Sequence, residues 1–191
     1  ISSNSEIFKT VAYQFENDEL HYALECYIPA CGCIFQWMVE ELSFAGNFDE
    51  LDFISQNECH NSQLRYIPPT QKHNGSIEGI TVGTKKSEII RSIYEGIFKN
   101  IAVHIDLVSK QLASPVDVFY ADGGLCQSDF CMKLQANLAN ISIKRFELVE
   151  ATALGAAICA LKGIKRCSNI SEPFPEALSK YNTFLPNLTR N

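Results

Sequence analysis

From residue 86 onward an apolar side chain returns at every third or fourth position: Ile89, Ile90, Ile93, Ile97, Ile101, Ile105, Val108 and Leu112. A stripe of that period over roughly six turns predicts one long amphipathic helix from Lys86 to Gln111. Thr84 stands where its N-cap is expected. The pattern then changes. Val116, Val118, Phe119 and Tyr120 form a short run of strand formers, followed by a turn at Asp122-Gly123-Gly124. Leu125 to Ala139 reads as a helix through Phe130, Met132, Leu134 and Leu138. Ile141 to Phe146 reads as a second strand, and Glu150 to Ala160 as a second helix rich in small residues. Small side chains let that helix lie close to the sheet or to the glycine turn. The predicted unit is strand, glycine turn, helix, strand, small-faced helix.

Upstream, Phe8 to Tyr13 and Leu20 to Ile28 read as two strands that pair across a turn at Glu16–Glu19. Pro29 suits the first turn of a helix over Ala30–Leu42, with Ile34, Trp37, Met38 and Leu42 on its apolar face. Trp37 is expected in the core. A short helix is expected over Asp49–Ser55, a strand over Leu64–Ile67 halted by Pro68-Pro69, a loop over Thr70–Gly75 and a strand over Ile77–Val82. After Lys162 the periodicity decays. The division expected is a domain over 1–165 and a tail over 166–191, the tail holding one short helix. No internal repeat is visible.

Composition narrows the class. With 191 residues, 46% hydrophobic and 20% charged, the chain can bury a sizeable core. A formal net charge of −6 argues against a nucleic-acid partner or an acidic membrane surface. Charged residues interrupt every apolar stretch well before the length of a membrane span. The eight cysteines include no Cys-x-x-Cys pair and no metal-ligand spacing, so reduced thiols in a cytoplasmic protein are expected. The four histidines form no ligand set either, and His104 is expected to be partly exposed. The chain begins at Ile1 without a leader pattern and reads as a piece of something longer.

The candidate chemistry lies at the glycine turn. A strand that ends in two glycines and enters a helix brings bare backbone N–H groups close to a ligand, where side chains would block the approach. Asp122 is expected to cap that turn rather than to hold Mg2+. Gly32 and Gln36, four apart, share one face of the upstream helix.

Six motifs in order carry a resemblance. They are Thr10-Val-Ala-Tyr-Gln-Phe with Tyr22-Ala-Leu-Glu25, Gly32 to Trp37, Gly75-Ser-Ile-Glu-Gly-Ile-Thr81, Tyr94-Glu-Gly-Ile97, Asp122-Gly-Gly124, and Glu150-Ala-Thr-Ala-Leu-Gly-Ala-Ala157. Together they resemble the carboxy-terminal half of the FGGY carbohydrate kinases, the glycerol kinase branch in particular, over about residues 8–165. The resemblance implies an α/β domain of the actin-like ATPase (ribonuclease H-like) class, a mixed sheet flanked by helices. It also implies the nucleotide half of a two-domain kinase that uses ATP and Mg2+. Gly124 then matches the glycine whose backbone approaches the adenosine part of the nucleotide. Ser128 stands where the family commonly has an Asn touching base or ribose, and Gly32 and Gln36 match helix residues that face the nucleotide.

The family's catalytic aspartate and its polyol-binding residues precede the matched region, so no catalytic residue and no metal ligand is assigned here. The polyol would reach the site through an amino-terminal domain, and a homo-oligomer is compatible with this reading. The sequence also departs from the family. The loop Ile67–Gly75 is contracted, and Cys26 replaces a usual glycine. These departures keep a second function open, a degenerate module that binds nucleotide weakly or serves as a scaffold subunit. An actin- or chaperone-type ATPase shares the fold class, but Gln36-Trp37 and the Ala-Thr-Ala-Leu-Gly-Ala-Ala stretch speak against it.

Overall fold

A computed structural model describes residues 7–14, 19–29, 31–60, 63–70, 72–148, 150–166 and 180–187. Its elements run β1 (Ile7–Tyr13), β2 (His21–Cys26), α1 (Cys33–Glu40), α2 (Phe48–Asn57), β3 (Arg65–Ile67), β4 (Ser76–Glu78), α3 (Lys86–Leu112), β5 (Val118–Ala121), α4 (Asp129–Ala139), β6 (Ser142–Phe146), α5 (Ala151–Gly163) and β7 (Tyr181–Phe184). β1 and β2 form an antiparallel hairpin, as their alternation predicts, and β3 pairs antiparallel with β4. The third sheet has the order β5-β6-β7. β5 and β6 are parallel, with Ala121 opposite Arg145, and β7 runs antiparallel to β6. This sheet is therefore mixed, as expected.

The core sits where α3 meets α1, α2, α4, β3 and the mixed sheet. Phe35, Met38, Leu51, Ile90, Ile93, Tyr94, Ile97, Phe98, Cys131 and Ile143 are essentially inaccessible to solvent. Each large side chain of that set contributes about 1.5–3 kcal/mol by leaving water. Tyr94 is its hub. The ring lies edge-on to Phe35 at 4.6 Å and tilted against Phe130 at 5.5 Å, and its hydroxyl donates to Asp52 Oδ1 at 2.6 Å. α3 has the predicted length, but the core ends before the helix does. Beyond Ile97 and Phe98 the stripe residues Ile101, Ile105 and Val108 are half-buried, and Leu112 is exposed.

Several expectations are corrected. Trp37 is exposed, because Phe35 and Met38, three apart, take the core face of the short α1 and turn Trp37 away from it. That helix begins at Cys33, after Pro29. His104 is buried, with Nδ1 2.8 Å from the Asn100 carbonyl. Thr84 does not cap α3; its hydroxyl accepts the Thr81 amide at 2.9 Å, while the Lys85 amide donates to Glu88 at 2.8 Å. The strand expected over Ile77–Val82 stops at Glu78. Gly79 has φ +83°, and a Cβ there would stand 1.8 Å from the Gln63 carbonyl oxygen, so the chain leaves the ladder where only glycine fits. In the tail β7 returns to the sheet; the short helix expected there falls mostly outside the described residues. Among the described residues Cys31, Cys33, Cys59, Cys126, Cys131 and Cys159 are free thiols.

Candidate functional site

The turn after β5 is built in two steps. Gly123, at φ +97°, adopts a conformation that side chains rarely tolerate. A single 3-10 turn over Gly124–Gln127 follows, closed by the Cys126 amide on the Gly123 carbonyl at 3.1 Å. The α-helix begins only at Asp129, four residues later than the expected start, because Ser128 is its N-cap and accepts the Cys131 amide at 3.0 Å. Asp122 closes the turn with its backbone rather than its carboxylate: its carbonyl accepts the Cys126 thiol at 3.1 Å.

Gly32 is the N-cap residue of α1, and Gln36 lies one turn on, exposed, its amide donating to Glu40 at 2.8 and 3.0 Å. Two links place α1 beside the glycine turn. Phe35 and Phe130 both pack on Tyr94, and Cys31 is near enough to Cys126 to act on its thiol. Burial pushes the Cys126 thiol up to about 11, with the Asp122 charge and the neighbouring Cys31 adding to the effect and Arg145 opposing it. Cys31 is also raised, by burial and then by Cys33. Both thiols therefore stay protonated near neutral pH and serve as packing groups.

The space above these glycines is open. A Cβ added at Gly32, Gly123 or Gly124 would meet nothing within 4 Å. The backbone at these positions is thus free to touch a ligand. The Ser128 hydroxyl caps α4 and also hydrogen-bonds the Cys131 side chain, a bond for which a ligand acceptor could compete. Gln36 keeps a carbonyl oxygen as an acceptor. Gly32 and Gln36 thus lie on α1, and Gly124 and Ser128 on the turn before α4, with open space above both glycines.

Three further features were not legible beforehand. Arg145, on β6, reaches over the turn and donates to the carbonyls of Cys126 and Gln127 at 2.8 and 3.0 Å and to Asp129 Oδ1 at 2.8 Å. In sequence it is one basic residue at a strand end, and only the parallel register that sets it opposite Ala121 discloses its reach. The small-residue face of α5 does not pack as closely as expected. Only Ile158 of that helix is buried, and a Cβ on Gly155 would meet nothing within 4 Å. The N-cap of α5 is Glu150, without a side-chain bond. Among the described residues no group of three or more His, Cys, Asp or Glu side chains is placed to hold a metal ion.

Comparison with known proteins bears on the family and the fold. Residues 61–164 match the FGGY family of carbohydrate kinases, C-terminal domain. The chain is 27% identical over 182 residues to the glycerol kinase of Mycoplasma capricolum, covering 90% of this chain and 36% of that protein. It is 30% identical to the glycerol kinase of Mycoplasmopsis pulmonis, covering 84% and 33%. It therefore spans only about a third of the length of these relatives. The Plasmodium falciparum glycerol kinase crystallised with ADP superposes with a TM-score of 0.80 at 22% identity, over 95% of this chain and 38% of that one. A ligand-bound xylulose kinase from Lactobacillus acidophilus superposes with a TM-score of 0.72 at 23% identity, again over 95% and 38%. The fold is that of the actin-like ATPase domains, and the chain belongs to the FGGY family of carbohydrate kinases, as its C-terminal domain.

Proposed function

We propose that this chain is the nucleotide-binding half of an ATP-dependent carbohydrate kinase of the glycerol kinase type, acting in the cytoplasm. The observation that carries the reading is the uncovered backbone at Gly32, Gly123 and Gly124, on two neighbouring elements. A flat nucleotide can lie against bare peptide groups where a side chain at any of the three would intrude. In this reading Gly124 meets the adenosine part, Ser128 donates its hydroxyl proton to base or ribose, and Gln36 offers its carbonyl from the facing helix. ATP fits that donor and acceptor set. For Mg2+ this chain supplies no ligand cluster among its described residues, and the ion would arrive on the phosphates.

The reaction itself belongs to a longer protein. The γ-phosphate would pass to a primary hydroxyl of glycerol or a related polyol, and the aspartate that accepts the hydroxyl proton would come from an amino-terminal domain. This chain alone should bind nucleotide and not turn over. Its affinity for ADP should lie in the high-micromolar to millimolar range, since one wall of a cleft recovers only part of the contact.

Calorimetry with ADP on the wild-type chain and on Gly124→Asp tests the reading. Gly124 has no positive φ and its Cβ direction is open, so the substitution leaves the fold intact and acts only on whatever approaches the turn. Affinity should fall at least about tenfold, from steric overlap and from a carboxylate set against an anionic ligand. Equal heats from both proteins would remove the turn from the site.

A further inference from the structure

We infer that Arg145 is the positioning residue of the glycine turn: it holds the backbone of Gly124–Ser128 in the conformation that admits a nucleotide, without touching the ligand itself. The inference rests on the nucleotide reading above and adds to it a residue that the sequence did not single out.

The geometry is specific. Three hydrogen bonds of 2.8–3.0 Å run from one guanidinium to three consecutive parts of the turn: the Cys126 carbonyl, the Gln127 carbonyl and the Asp129 carboxylate. The two carbonyls lie at the end of the 3-10 turn, just before the Ser128 cap where α4 begins. Arg145 thus supplies donors to two carbonyls at the point where the 3-10 turn gives way to α4. A planar fork can meet several acceptors at fixed angles, which a single ammonium cannot do. The fork is itself held. Its side chain is largely buried, its guanidinium carbon lies 5.1 Å from the centre of the Phe184 ring, and its backbone is in register with Ala121, the last residue before the turn. The turn is thus braced from the central strand of the sheet, with β7 behind the brace.

Charge adds to position. The turn carries two carboxylates, Asp122 and Asp129, next to the open glycine backbone. Pairing Asp129 with Arg145 removes one of them as a source of repulsion toward an anionic nucleotide. Loss of the guanidinium would therefore loosen the turn and leave a bare negative charge beside it. If the competent turn conformation falls to about a tenth of the population, apparent affinity falls about tenfold.

The test compares the 191-residue wild-type chain with Arg145→Met, Arg145→Lys and Asp129→Asn. ADP affinity is measured by calorimetry, and amide hydrogen exchange at Gly124–Ser128 and along α3 is measured without nucleotide. The expected result for Arg145→Met is exchange at the turn faster by about tenfold with α3 unchanged, together with ADP affinity lower by about tenfold. Arg145→Lys should recover part of both, and Asp129→Asn, at an exposed position, should loosen the turn only slightly; these two keep the test decisive if Arg145→Met does not fold. A purely structural arginine would instead raise exchange across α3 and the turn together, which overturns the inference. Turn amides as protected in Arg145→Met and Arg145→Lys as in wild type also overturn it, and leave the nucleotide reading standing. A loosened turn with unchanged ADP affinity overturns the link to binding. Absence of ADP binding by the wild-type chain overturns the nucleotide reading instead, and with it the ligand this brace serves.

Discussion

Glu95 illustrates what a single residue contributes to this fold. It is buried on α3 and paired with Arg91 at 2.8 Å, Lys99 at 3.1 Å and His60 at 2.5 Å. Burial opposes ionisation, but the hydrogen bonds from Arg91 and Lys99 outweigh it and hold the carboxyl below its ordinary value. The sign follows from that direction. A carboxyl more acidic in the folded than in the unfolded chain stabilises the fold above the unfolded value, and the benefit is lost as pH falls through the folded one. Glu95→Gln should cost about 2 kcal/mol at pH 7, because it removes charge-assisted bonds and leaves the partly buried Arg91 without its carboxylate. The deficit should shrink as pH drops below 4.5, the ordinary value for this carboxyl. Urea denaturation of both proteins at pH 7 and pH 3.5 measures it, and a deficit that grows on acidification contradicts the argument. The sequence shows Arg91, Glu95 and Lys99 at spacings of four, which places them on one helix face. It does not show that His60 and the α2 side close over that face. Trp37 and His104 were misjudged for the same reason: which side of a helix is covered depends on the neighbours, not on its own period.

At the scale of elements, packing decides what propensity leaves open. Gly96 lies in the middle of α3, where glycine costs about 1 kcal/mol relative to alanine. A methyl group there would stand 2.3 Å from the Tyr66 carbonyl oxygen and 2.9 Å from the Tyr66 ring. Tyr66 belongs to β3, which is tied to β4, so its backbone cannot retreat cheaply. Overpacking therefore wins over the gain in helix propensity. Gly96→Ala should destabilise the chain by about 3 kcal/mol in a urea melt, and unchanged or higher stability would mean that β3 does not press on α3 there. The pattern of apolar residues located α3, the β1–β2 pair, β3 and the β5–turn–helix–β6 unit, since each is long or strongly periodic. It misplaced the start of α4 by four residues and the end of β4 by four. Both errors lie at turns where a hydroxyl or a glycine overrules periodicity: Ser128 by capping, Gly79 by its positive φ.

For the whole molecule, the order of six motifs was enough to read the fold class, and the glycine turn follows β5 where the pattern put it. What order could not give is how firmly each part is held. The β1–β2 hairpin pairs along its length with one register shift between Val11 and Tyr13, yet Phe8, Val11, Tyr13, Tyr22 and Tyr27 all remain exposed. On the described residues no third strand joins it, and β5 likewise has a strand on one side only. A two-stranded hairpin without a buried face is marginal in water, whereas α3 and the central strand β6 share the core around Tyr94 and Ile143. Amides of β1 and β2 should therefore exchange with solvent at least about a hundredfold faster than those of Ile90–Phe98, through local opening that leaves the core intact. ADP should not change that ratio, since its proposed wall is formed by α1 and the turn before α4 and none of it by the hairpin. Hairpin amides as slow as those of α3 would mean that strands and core open as one cooperative unit, with the exposed aromatic residues covered in solution.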